Sequence, residues 1–111
     1  MTQNGNKSGT QQEADLAVVR ALVDLVPQNW TKAELDVSQK FHRNGAASIA
    51  HIIRNPDGLR GAIEPSDELY EATRRLTLAA QQRGQRLKRA HYLVELTADQ
   101  DWTFRARYEY Y

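Results

Sequence analysis

At Thr31 the spacing of apolar residues changes period, and this constrains the fold more than any other feature of the chain. Before it, Ala14, Ala17, Val18, Ala21, Leu22 and Leu25 recur at steps of three and four, the stripe of a helix with one buried face. After it, Ala33, Leu35, Val37 and Phe41 hold odd positions, while Lys32, Glu34, Asp36, Ser38 and Lys40 hold the even ones. That alternation is a strand with one wet face. Pro27 separates the two regimes by stopping a helix predicted over Glu13 to Val26. Glu13 and Asp15 fall in its first turn, where the helix dipole favours negative charge.

Arg43-Asn44-Gly45 is a turn signal, and Ala47, Ile49, His51 and Ile53 alternate after it as a second strand. Asn55-Pro56-Asp57-Gly58 is another turn, and Leu59 to Glu64 reads as a short third strand. Ser66 is an N-cap followed by two acids, opening a second helix whose stripe is Leu69, Ala72, Thr73, Leu76, Ala79 and Ala80; Gly84 fits the position just past its end. Ala90, Tyr92, Val94 and Leu96 share a face of one later strand; Trp102, Phe104, Ala106, Tyr108 and Tyr110 share a face of the last. The polar connector Ala98 to Asp101 makes these two a hairpin. The order α-β-β-β-α-β-β defines an α+β domain: an antiparallel sheet of about five strands with two helices packed on one face. Trp30, Trp102, Phe104 and Tyr108 are the expected aromatic anchors of its core.

Residues 1–12 are polar apart from Met1 and offer nothing to bury, so they are expected to be a flexible tail. Residues 13–111 form a single domain, long enough for a core without disulfides or metal. The chain has no cysteine, which removes thiolate zinc, iron–sulfur and cysteine-nucleophile chemistry. No apolar run reaches a membrane span and no leader is evident, so the expectation is a cytoplasmic protein with no membrane contact.

Catalytic signatures are missing from the sequence. His42, His51 and His91 lack any metal-ligand spacing; His51 has inward parity and reads as a satisfied core histidine, His91 outward parity as a solvated one. The serines lack a nucleophile-elbow context and the glycines are scattered at turns. Neither a catalytic residue, a metal site nor a cofactor is expected, and the protein is read as a non-enzyme. One charge feature stands out: Arg74, Arg75, Arg83, Arg86, Lys88 and Arg89 occur with no acid between Arg74 and His91. A nucleic-acid-binding or regulatory domain could use such a run against phosphates. The near balance of 15 Lys+Arg against 14 Asp+Glu, and the lack of interleaved aromatics, favour a solvated face or a protein partner.

On the outward parity of the sheet, Ile52 and Leu93 fall among Arg54, Arg89, His91, Glu95, Arg105 and Arg107. Large apolar residues flanked by arginines resemble the centre of a protein interface. Ile52, Arg89, His91, Leu93, Arg105 and Arg107 are therefore the candidate partner-binding residues, on a chain expected to be a monomer or weak homodimer.

Two stretches carry a family resemblance. Leu22 to Val37, LVDLVPQNWTKAELDV, resembles the opening of the YezG-like family, a helix ending in hydrophobic-Pro-x-x-Trp before an alternating strand. Trp102 to Tyr111 resembles that family's aromatic closing strand, and Ile63-Glu64-Pro65-Ser66 leading into Leu69 and Leu76 fits its middle. Where the family has a polar-Gly turn before the last strand, this chain has Ala98-Asp99-Gln100-Asp101. The resemblance implies a bacterial immunity protein that binds a cognate polymorphic toxin and neutralises it by stoichiometric occlusion. An isoelectric point of about 8.1 sets the chain apart from acidic proteins that mask a basic active site.

Overall fold

The change of period at Thr31 marks the passage from helix to sheet. The computed structural model describes residues 2–58 and 63–111. Along the chain run α1 (Thr2–Leu25), β1 (Lys32–Phe41), β2 (Ala47–Arg54), α2 (Asp67–Gln82), β3 (Leu87–Leu96) and β4 (Trp102–Tyr110). The strands form one antiparallel sheet in the order β2-β1-β3-β4. The α+β class and the antiparallel sheet agree with the sequence reading, but the described residues hold four strands rather than about five. Of the strand expected over Leu59 to Glu64, positions 59–62 lie outside the described residues, and Ile63 to Ser66 is irregular. Ile63 packs against the core from that irregular segment, which accounts for its apolar character without a ladder partner.

Helix α1 starts at Thr2 instead of Glu13. No apolar stripe marks these early turns in the sequence, yet extending an established helix costs far less than nucleating one. Its core-facing residues are Ala14, Val18, Val19, Ala21 and Leu22. The shifted start takes Asp15 out of the first turn, so the dipole role expected of it gives way to a buried one described below. At the other end Trp30 donates its backbone N–H to Pro27 at 3.0 Å, and its side chain is 2% exposed.

Helix α2 follows its sequence signals closely. Ser66 Oγ accepts from the Leu69 N–H at 3.1 Å, and Asp67 and Glu68 occupy the first turn. Gly84, at φ +77°, donates to Gln81 O, and Gln85 donates to Ala80 O, the paired bonds of a Schellman end. Its buried stripe meets α1 and lies over the same sheet face, where Ala33, Leu35, Val37, Ile53, Ala90, Tyr92 and Val94 point inward.

The expected aromatic anchors need correction. Trp30 is buried, but Trp102 and Tyr108 are only partly covered and Phe104 is 37% exposed. Strand β4 is an edge of the sheet, and the fully buried Tyr92 of the central strand β3 takes the anchoring place.

Candidate functional site

The register of the sheet turns its outward face into a grid. Gly45, at φ +86°, closes the β1–β2 turn, and Phe41 then pairs with Ala47, which sets Asp36 opposite Ile52 and Glu34 opposite Arg54. Across the other edge of β1, Asp36 faces His91, Glu34 faces Leu93 and Ser38 faces Arg89. Strand β4 completes the rows by placing Arg107 beside His91, Arg105 beside Leu93 and Glu109 beside Arg89. All six candidate residues, Ile52, Arg89, His91, Leu93, Arg105 and Arg107, thus lie on this one face, which neither helix covers.

The centre of the face is ionic. Glu34 Oε2 lies 2.8 Å from His91 Nε2, while Arg54 reaches Glu34 at 3.4 Å and Asp36 at 3.1 Å. The hydrogen bond from His91, followed by Arg54, holds the Glu34 carboxyl below its ordinary range against an opposing effect of burial. His91 therefore has the expected outward direction but is paired and largely covered, not solvated. Ile52 is 57% exposed on β2 and Leu93 half-buried on β3. The carboxylates of β1 stand between them, so they make two separate apolar points and not one central patch. Arg89 pairs with Glu109 at 3.8 Å. Arg105 and Arg107 are exposed, and among the described residues neither has a carboxylate within ion-pair distance.

Glu34, Asp36 and Arg54 are the site residues that sequence parity alone undervalued. Parity put both acids on the wet face, but their partners follow only when residues are counted outward from the Asn44-Gly45 turn. The signal was present in the hairpin length.

The remaining histidines are separate. His42 Nε2 is 2.7 Å from Ser48 Oγ at the surface. His51 Nε2 is 3.0 Å from Thr73 Oγ1, whose own proton goes to Tyr70 O at 3.1 Å, so the imidazole donates there. Its Nδ1 is buried with no partner, which corrects the expectation of a satisfied core histidine; burial lowers its pKa. Among the described residues no group of His, Asp and Glu is placed to hold a metal ion.

The basic run does not gather into one patch. Arg74 pairs with Glu71 on α2, and Arg83 bonds to Gln11, Gln85 and Tyr110. Arg86 lies over the Phe41 ring at 4.9 Å, Lys88 over Tyr111 at 5.8 Å, and Arg89 belongs to the outward sheet face. Among the described residues no helix is long and apolar enough to cross a membrane.

Fold and face together define a small α+β domain with a charged, helix-free sheet surface. No protein-family model matches the chain, and no curated protein matches it.

Proposed function

We propose that this protein is a non-catalytic binding protein, an immunity protein that neutralises a cognate toxin in the cytoplasm by stoichiometric occlusion. The observation that carries the reading is the outward sheet face, where exposed Ile52 and half-buried Leu93 are set among Arg89, Arg105 and Arg107. A few apolar anchors within charged surroundings are what tight protein interfaces use. The resemblance of Leu22 to Val37 and Trp102 to Tyr111 to the YezG-like family supplies the kind of partner. Occlusion needs affinity and coverage, not chemistry, and the ionic centre of Glu34, His91 and Arg54 offers a rigid, specific landing surface.

The competing reading, a nucleic-acid-binding or regulatory domain using Arg74 to Arg89, has less support. Five of those six basic side chains already engage neighbours on different faces.

Cells expressing a polymorphic toxin of the kind the resemblance implies provide the test. Wild-type protein should protect them, and Ile52→Asp combined with Arg107→Glu should abolish protection while leaving the melting temperature unchanged, since both positions are exposed. Protection that survives this double change moves the interface off the sheet. Purified protein that binds nucleic acid tightly at physiological salt, and protects no cell, transfers the case to the competing reading.

A further inference from the structure

Resting on the reading just given, we infer that the edge of β4 accepts an extended segment of the partner that carries carboxylates at alternate positions. Strand β4 is nine residues long, and no strand lies beyond it among the described residues. An edge strand presents unpaired backbone N–H and C=O groups, a template for another strand. The one irregularity of its ladder, between Leu87 and Arg89, lies at the far end, and the middle of the edge is regular. The strand contains no proline, and its ladder with β3 runs from Arg89–Glu109 to Leu96–Trp102 without a register shift.

Both faces of β4 are incompletely served by the protein's own structure. Outward, Arg105 and Arg107 sit two residues apart with no carboxylate partner among the described residues, whereas Arg54, Arg74 and Arg89 each have one. Inward, Trp102, Phe104, Tyr108 and Tyr110 all keep exposed surface, with Phe104 the most open. An added strand would cover these rings with one set of side chains and face the two guanidiniums with the other, as the period of two requires. Edge β2 lacks this combination: its only outward arginine, Arg54, is already held by Glu34 and Asp36.

A second copy of this chain fits poorly. Antiparallel self-pairing that keeps the two faces aligned and matches the whole of β4 sets Arg105 opposite Arg107 twice. Like charges directly opposite each other are destabilising. The occupant is therefore an acidic segment of a different protein.

Two end-blocked nine-residue peptides test this, one alternating Glu with Thr and Val, the other carrying Lys in place of Glu. Amide chemical shifts are followed on the whole protein during titration. The acidic peptide should shift amides of Trp102 to Tyr110 and bind about tenfold tighter than the Lys peptide, the scale of two exposed ion pairs gained rather than opposed. Arg105→Glu with Arg107→Glu should invert that preference at an unchanged melting temperature. Equal binding of both peptides, failure of the acidic one to bind, or shifts centred on β2 or the helices overturns the inference. The toxin plays no part in this titration. A chain that protects cells yet ignores the acidic peptide overturns the edge inference alone, and one that binds the peptide without protecting overturns the toxin reading alone.

Discussion

Tyr92, fully buried in β3, donates its hydroxyl to Asp15 of α1 at 2.7 Å. Tyr108 of β4 donates to the same oxygen at 2.5 Å, and Gln11 Nε2 approaches it at 3.2 Å. One carboxyl group thus ties the first helix to the last two strands. Each tyrosine brings a ring to the core and a polar tip that must find an acceptor there.

Removing that acceptor should be costly. Asp15→Ala leaves the Tyr92 hydroxyl buried without a partner and is expected to lower unfolding free energy by about 2–3 kcal/mol. Adding Tyr92→Phe to it should cost little more, because the orphaned donor goes with the change. Urea denaturation of the cycle checks this, and strictly additive losses would show that the two residues act independently.

Alkaline pH probes the same cluster. Burial first, and then Asp15, hold the Tyr92 and Tyr108 hydroxyls above the ordinary tyrosine value of 10.0. The unfolded chain therefore loses these protons before the folded one does. Stability from this source is complete below about pH 10 and falls as pH rises beyond it. Thermal melts between about pH 8 and about pH 11.5 should show a steep decline in wild type and a shallower one in Tyr92→Phe with Tyr108→Phe.

On the other face the sign reverses. His91 and Arg54 hold the Glu34 carboxyl below its ordinary value of 4.5. Its contribution is present above that pH and is lost as pH falls through the lowered value, because the unfolded chain takes up the proton first. His91→Gln should flatten the acid limb of a stability–pH curve; an unchanged limb would mean that the pair at 2.8 Å carries no net stability.

The β3–β4 turn carries strain that one substitution relieves. Gln100 adopts φ +68°, a left-handed conformation that L side chains enter at a cost of about 1–2 kcal/mol and glycine enters freely. Gln100→Gly should stabilise the protein by about 0.5–1 kcal/mol after the entropy of the glycine is counted. A lower denaturation midpoint would indicate that the Gln100 side chain contributes more than its backbone strain removes.

The aromatic residues separate core from edge. Trp30→Ala should cost about 3–5 kcal/mol, while Phe104→Ala, at a half-open site, should cost clearly less. Deleting residues 1–10 should leave the melting temperature unchanged, with Gln11 retained for its bonds to Asp15 and Arg83. A drop of several degrees would place those residues in the folded unit.

What the sequence made legible was what depends on local period. The alternation of Ala33, Leu35 and Val37 placed the two faces of β1, and Ser66 and Gly84 marked where α2 begins and ends. What it could not convey depends on pairs distant along the chain. Nothing in WTFRARYEY distinguishes an edge from a central strand, so Phe104 read as core. Asp15 read as a dipole partner because the hydroxyls that donate to it, those of Tyr92 and Tyr108, meet it only through the tertiary fold. The candidate face was visible as parity, and its ionic centre emerged only with the register of β1 against both neighbours.

The proposed inhibition works by binding and not by turnover. Titrating the protein into a fixed amount of the toxin it is proposed to neutralise, and reading residual toxin activity, tests this most directly. Stoichiometric binding gives a linear fall to zero that breaks at one equivalent, with Ile52→Asp plus Arg107→Glu giving no inhibition at that ratio. Complete inactivation at a small fraction of an equivalent, increasing with time, would mean catalysis and contradict it.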